Sequence, residues 1–224
     1  MSDEESQRLW QEACDYNADI RSRGISPDLS QEERHRYETT LDVSGTGIMG
    51  HIEIEKIGVS LPIYHGTDDD ILQVAVGHLE WSALPVGGEG THCVLSGHRG
   101  LPSAKLFTNL DRLVEGDLFE IHLLDKILTY EVDQIRIVKP NEVNNLGAEE
   151  GKDYCTLVTC TPYGINTHRL LVRGVRVDNV AHKTIFVPND TYRINPLLVA
   201  LVFAVPLLLI LLVEMLIRYR RKKK

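Results

Sequence analysis

A cysteine, a histidine and an arginine carry the chemistry that this sequence offers. Cys160 ends the run Thr156-Leu157-Val158-Thr159, whose β-branched residues read as a buried strand. Pro162 and Gly164 then break the pattern, which sets Cys160 at a strand's end, where a side chain reaches a cleft. His98 lies in Gly97-His98-Arg99-Gly100, directly after the strand-like residues 91–96. Glycine on both sides lets the backbone turn sharply and present the imidazole. Arg169 opens the strand that follows the Cys160 turn, and its neighbour His168 is a rival for the role of base. Each residue alone has an ordinary structural role. Together they make a nucleophilic site. A cysteine attacks as thiolate, so an imidazole must take or hold its proton. The same imidazole can protonate a leaving amine, and a guanidinium can stabilise the oxyanion of acyl transfer.

The elements that must position these side chains are short strands. Alternation and β-branched content predict strands over residues 49–57, 61–64, 91–96, 118–123, 127–138, 155–159 and 169–177. Gly/Pro punctuation between them suggests a closed barrel or a sandwich. Ahead of them, Leu9, Ala13, Tyr16 and Ile20 recur at helical spacing over residues 4–23. Ser30-Gln31-Glu32-Glu33 matches a capping box and predicts a second helix to about Thr40. Residues 72–79 and 103–110 read as short helices or turns, and 138–152 as a polar connection with a helical turn after Pro140. A cysteine pair five residues apart on one strand points to opposite faces, so Cys155 and Cys160 are not expected to bond. Cys14, Cys93 and Cys155 read as free thiols, and no cysteine–histidine spacing typical of zinc occurs. Asp68-Asp69-Asp70 reads as a solvated acidic turn.

Charge and hydropathy divide the chain of 224 residues. Residues 1–213 hold 18 basic against 31 acidic side chains, a net charge of −13, which argues against a nucleic-acid partner. Residues 197–217 contain one charge, Glu214, and are long enough to span a bilayer. Arg218-Tyr219-Arg220-Arg221-Lys222-Lys223-Lys224 follows at once, as expected of a cytoplasmic flank. That orientation puts the preceding domain outside the cell. Met1-Ser2-Asp3-Glu4-Glu5 is no export signal, so a signal or membrane segment is expected upstream of it in the full-length protein.

Longer motifs carry a family resemblance. Gly97-His98-Arg99-Gly100, Thr156-Leu157-Val158-Thr159-Cys160 and Arg169 resemble the signature of sortases, the surface transpeptidases of Gram-positive bacteria. The stretches Gly50-His51-Ile52-Glu53-Ile54, Leu61-Pro62-Ile63-Tyr64-His65-Gly66-Thr67, Gly77-His78-Leu79-Glu80 and Leu101-Pro102-Ser103-Ala104-Lys105-Leu106-Phe107 resemble class C, the pilus-building group. So does Cys160-Thr161-Pro162-Tyr163-Gly164-Ile165-Asn166-Thr167-His168-Arg169-Leu170-Leu171-Val172-Arg173-Gly174. The resemblance runs from about Gly47 to Val177.

The resemblance implies a mainly β fold: a closed eight-stranded sortase-type barrel with N-terminal helices and a C-terminal transmembrane helix. The expected organisation is a helical, lid-like region at 1–46, the catalytic barrel at 47–178, a linker at 179–195, a membrane helix at 196–217 and a basic tail at 218–224. It implies Cys160 as nucleophile, His98 as acid/base and Arg169 as substrate or oxyanion stabiliser, with Thr159 and Thr161 helping to hold the sorting signal. His168 has no role in the family. No metal or cofactor is implied. The family cleaves an LPXTG-like signal after its threonine and holds the product as a thioester. In class C a pilin lysine resolves it to an isopeptide bond. The partners implied are pilins and the plasma membrane. Alternatives are anchoring to a cell-wall amine, hydrolysis, and a noncatalytic barrel that binds surface proteins. One feature departs from class C. Residues 24–46 carry Pro27-Asp28 but lack the Asp-Pro-aromatic tripeptide of the lid, so no lid residues are assigned.

Overall fold

Alternation in Ile52-Glu53-Ile54 sets the first strand. Ile52 and Ile54 are fully buried, while His51 and Glu53 stay at the surface, the period of two that a half-buried strand requires. The computed structural model describes residues 1–23, 28–101, 104–142 and 144–179. Its strands are β1 (Ile48–Ile54), β2 (Val59–His65), β3 (Val76–His78), β4 (Thr91–Ser96), β5 (Leu118–Leu123), β6 (Lys126–Val138), β7 (Asp153–Thr161) and β8 (His168–Val177). They close into one barrel in the order β1-β2-β3-β4-β7-β8-β6-β5. Closure pairs every strand on both sides and leaves no open edge. The pairs β2/β3 and β4/β7 are parallel and the others antiparallel.

The barrel is filled by inward side chains such as Ile63, Leu95, Phe119, Ile121, Tyr130, Leu157 and Val172. Phe119 and Tyr130 stack with ring centroids 5.4 Å apart. Gly174 makes room for that stack, since a Cβ there would lie 2.6 Å from the Phe119 ring. A second, smaller cluster of Val94, Val138, Leu146 and Leu171 packs on the outer face of β4, β7 and β8.

Two helices precede the barrel. Helix α1 (Asp3–Arg23) buries Ala13, Tyr16 and Ile20, the predicted face, and adds the buried Asn17. The Asn17 amide donates to the Leu84 carbonyl at 3.0 Å and accepts from the Leu84 N–H at 2.7 Å, fixing the helix to the β3–β4 connection. Helix α2 (Gln31–Thr39) starts at the predicted capping box, with Glu33 N–H donating to Ser30 Oγ and Ser30 N–H donating back to Glu33. Its Tyr37 is buried between His65 and His78, and the Tyr37 hydroxyl accepts the Gly66 N–H at 2.8 Å.

Two expectations need correction. Residues 72–79 are not a single helix or turn. Asp69–Leu72 forms a short helix, α3, and Val76–His78 forms β3. This strand is three residues long and buried on both faces, so it shows no alternation. The first strand stops at Ile54, where Glu55–Ile57 turns and Gly58 adopts φ +63°. The expectation of short helices or turns over 103–110 agrees with turns at 106–109 that lead into a 3-10 turn at Leu110–Arg112. Among the described residues no helix is long and apolar enough to cross a membrane. The expected membrane helix and basic tail lie outside the described residues.

Candidate active site

Cys160 is the penultimate residue of β7, and the ladder fixes its neighbours. In β7, Cys155, Leu157 and Thr159 face the barrel interior, so Thr156, Val158 and Cys160 face outward. Cys155 and Cys160 therefore lie on opposite faces, and all four cysteines are free. Across the antiparallel β7/β8 pair, Cys160 is the register partner of Arg169. Across the parallel β4/β7 pair, Ser96 is the partner of Val158. The Gly97 N–H continues that ladder by donating to the Val158 carbonyl at 3.0 Å. His98 is the next residue, in the turn that leaves β4 beside the end of β7. One outward row thus carries Cys160 and Arg169 across β7 and β8, and the turn that holds His98 follows β4 on the other side of β7. His98, Cys160 and Arg169 are each half-buried.

The His98 turn is held at several points. Thr159, beside the cysteine, is 2% exposed, and its hydroxyl donates to the Gly97 carbonyl at 2.7 Å. The His98 carbonyl accepts the Phe107 N–H at 3.0 Å, and the Gly100 N–H donates to Thr108 Oγ1 at 3.1 Å. Gly97 packs flat on the buried Phe107, where a Cβ would come within 2.6 Å of the ring. Gly100 has φ +78°, and a Cβ there would lie 2.9 Å from the Tyr163 ring.

Arg99 makes a second brace. Its side chain is 8% exposed, pairs with Asp111 at 2.5 Å and lies over the Tyr163 ring at 5.7 Å. It ties the histidine turn to the turn after the cysteine. No local pattern signals this brace, because Arg99, Asp111 and Tyr163 meet only through the fold.

After Cys160, the chain turns through a cis Thr161–Pro162 bond, and Asn166 adopts φ +60°. The Ile165 and Asn166 N–H groups both donate to the Pro162 carbonyl. The Arg169 guanidinium donates to the His168 carbonyl at 3.2 Å and the Asn166 carbonyl at 3.4 Å, which steadies it at the mouth of this turn. His168 pairs with Thr161 and falls on the inward-pointing side of β8, with Leu170 and Val172. It is on the other face of the sheet from Cys160 and Arg169. Thr161 is also inward and buried.

Of the remaining thiols, Cys93 and Cys155 are buried, whereas Cys14 is half-buried like Cys160. Cys93 and Cys155 are register partners on β4 and β7, both buried, and burial pushes the Cys155 thiol well up from its ordinary value. Burial also raises the Cys14 thiol, with Asp15 adding to the effect. Neither Cys155 nor Cys14 is suited to attack as thiolate. Cys160, Arg169 and the His98 turn beside them offer a nucleophile, a cation and a proton carrier, the set that acyl transfer requires.

A closed eight-stranded barrel with such a set defines a sortase-like protein. Residues 52–177 match the family model of the Sortase domain, and the chain belongs to the sortase family. Among solved structures it is similar to class C members. Sortase C1 from Streptococcus agalactiae superposes with a TM-score of 0.79 at 49% identity, covering 80% of this chain and 93% of that one. Sortase C-1 from Actinomyces oris gives a TM-score of 0.72 at 44% identity over 77% of this chain and 99% of that one. Among curated relatives, Sortase D of Bacillus subtilis is 34% identical over 131 residues, 57% of this chain and 63% of that protein. Matches to this and to Sortase A of Streptococcus agalactiae span 63% and 47% of those relatives' lengths.

Proposed function

We propose that this chain is a cysteine transpeptidase that joins pilin subunits, with Cys160 as nucleophile, His98 as acid/base and Arg169 as oxyanion or substrate stabiliser. The observation that supports the reading is the ladder position of Cys160 opposite Arg169, with Thr159 beside it hydrogen-bonded to Gly97 of the His98 turn. In the forward step the Cys160 thiolate attacks the threonine carbonyl of an LPXTG-like signal. The tetrahedral oxyanion collapses, the peptide bond breaks, and His98 protonates the departing amine. A thioester remains. In the second step a pilin lysine, deprotonated by His98, attacks the thioester and releases the thiol, giving an isopeptide bond. Thr159 is assigned to holding the Gly97 carbonyl, and through it the His98 turn. Thr161, inward and buried, is assigned to shaping the turn after Cys160 rather than to side-chain contact with the sorting signal.

Similarity to class C sortases supports the pilin acceptor. The crystal structure of Sortase C from Streptococcus pneumoniae, 44% identical with a TM-score of 0.71, is described in terms of catalysis and pilin substrate specificity. The apolar run 197–217 and the basic cluster after it support a plasma-membrane anchor, with the barrel on the extracellular side and the tail in the cytoplasm. The test is mass spectrometry of the products made with a sorting-signal protein and either a pilin or a cell-wall amine. A lysine isopeptide ladder supports pilus polymerisation. Linkage to the wall amine alone would transfer the reading to surface-protein anchoring.

A further inference from the structure

On the side of the barrel away from β7, the seam between β1 and β5 holds a polar square. The pairing of these strands consists of three register pairs: His51 with His122, Ile52 with Ile121, and Glu53 with Glu120. Ile52 and Ile121 point into the core, so His51, Glu53, Glu120 and His122 share the outer face. The two imidazoles stack with centroids 4.5 Å apart and planes at 20°. His51 Nε2 lies 3.5 Å from Glu53 Oε1. His122 Nε2 lies 3.7 Å from Glu53 Oε2 and 3.1 Å from Glu120 Oε2.

We propose that His51, Glu53, His122 and Glu120 form a binding site for a zinc-class divalent cation that clips β1 to β5. Three observations carry it. One ligand atom from each of His51, Glu53 and His122 can be chosen so that all lie within 4.8 Å of one another. Atoms bound to one tetrahedral zinc at ~2.0–2.1 Å stand roughly 3.4 Å apart, and each imidazole Nε2 already lies 3.1–3.7 Å from a carboxylate oxygen, so side-chain rotation alone would close the set on a cation. The donor set is two imidazoles and two carboxylates, which suits zinc, and the imidazoles disfavour calcium and magnesium, which prefer oxygen alone. Two carboxylates with two neutral imidazoles also balance a dication. A cation held at His122 Nε2 takes the neutral ring with its hydrogen on Nδ1; a hydrogen carried on Nε2 alone moves to Nδ1, and only from a doubly protonated ring does a proton pass to solvent. Since the seam has so few register pairs, a bond across it ties barrel closure to cation binding. This site is independent of the proposed transpeptidase chemistry.

The test uses the whole 224-residue chain, held in detergent and stripped with a chelator. Zinc chloride is titrated by calorimetry, and cobalt(II) is added for its visible spectrum. One equivalent of zinc is expected, with tetrahedral cobalt bands and no thiolate-to-cobalt charge transfer. Affinity falls by about tenfold or more in His122→Ala and in the near-isosteric Glu53→Gln, and Cys160→Ala leaves it unchanged. Zinc raises the unfolding temperature of the parent but not of Glu53→Gln. Absence of binding, undiminished binding in a His51→Ala/His122→Ala chain, or a thiolate band in the cobalt spectrum overturns the proposal. In that case the square is a set of cross-strand ion pairs.

Discussion

The Thr159 hydroxyl donates to the Gly97 carbonyl at 2.7 Å, so the residue beside Cys160 holds the residue beside His98. The two chemical groups are therefore joined by a buried hydrogen bond one residue back from each. Thr159→Val keeps the shape and leaves that carbonyl without its donor. We expect a loss of about 1–3 kcal/mol in stability and a fall in transpeptidation rate that Thr159→Ser restores. Peptide cleavage kinetics beside thermal unfolding check this, because a purely structural role would leave the rate of the folded fraction unchanged.

Gly97 has no space for a side chain. A Cβ would meet the Phe107 ring at 2.6 Å, and Phe107 is fully buried. Gly97→Ala should therefore destabilise by about 1–3 kcal/mol through overpacking and displace the His98 turn. Phe107→Leu in the same chain should recover part of the loss. Denaturant unfolding of the single and double variants measures it, and additive losses would argue against the contact.

Arg169 is placed to stabilise charge with a planar, multi-donor group. Arg169→Lys keeps the positive charge but not the fork. We expect turnover to fall by about a hundredfold with little change in unfolding temperature, since Arg169 is half-buried and its guanidinium donates to the nearby Asn166 and His168 carbonyls. Single-turnover thioester formation is the suitable assay.

His92 gives a pH dependence. Its Nδ1 lies 2.9 Å from the Gly147 carbonyl and its Nε2 2.7 Å from the Thr156 hydroxyl, an arrangement suited to the neutral ring. Burial is the main cause that lowers its pKa, and nearby Arg173 adds to it against the opposing Gly147 bond, Asp133 and Glu149. The unfolded imidazole, near ~6.5, thus takes up a proton before the folded one. The His92 contribution is complete above that value and is lost as pH falls below it. Unfolding temperature should drop between about pH 7 and 5, and His92→Gln should flatten the slope. An unchanged slope would assign the effect elsewhere.

Local pattern makes several strands legible. Residues 91–96 and 118–123 alternate or run apolar over their whole length and coincide with β4 and β5. Strand β3 is not legible, because three residues buried on both faces carry no period. Nor is the parallel register of β4 and β7 written in either strand, so the spacing of His98 and Cys160 alone could not bring their segments together. The resemblance to sortases supplied their association, and the β4/β7 pairing sets the turn that carries His98 beside the end of β7. The same limit hid the His51–His122 stack, since the two histidines are distant in sequence and each reads as an ordinary strand residue. Arg99 is half legible: its place in the glycine-flanked motif is evident, but its pairing with Asp111 and Tyr163 depends on turns far apart in the chain.

The most direct measurement is intact-mass analysis of the enzyme during reaction with an LPXTG-type peptide, followed by mapping of the adduct. If Cys160 is the nucleophile, one acyl group will be found on the peptide that contains it, released by an added amine and absent in Cys160→Ala. Peptide cleavage that persists in Cys160→Ala, or an acyl group mapped to Cys14, Cys93 or Cys155, would contradict that assignment.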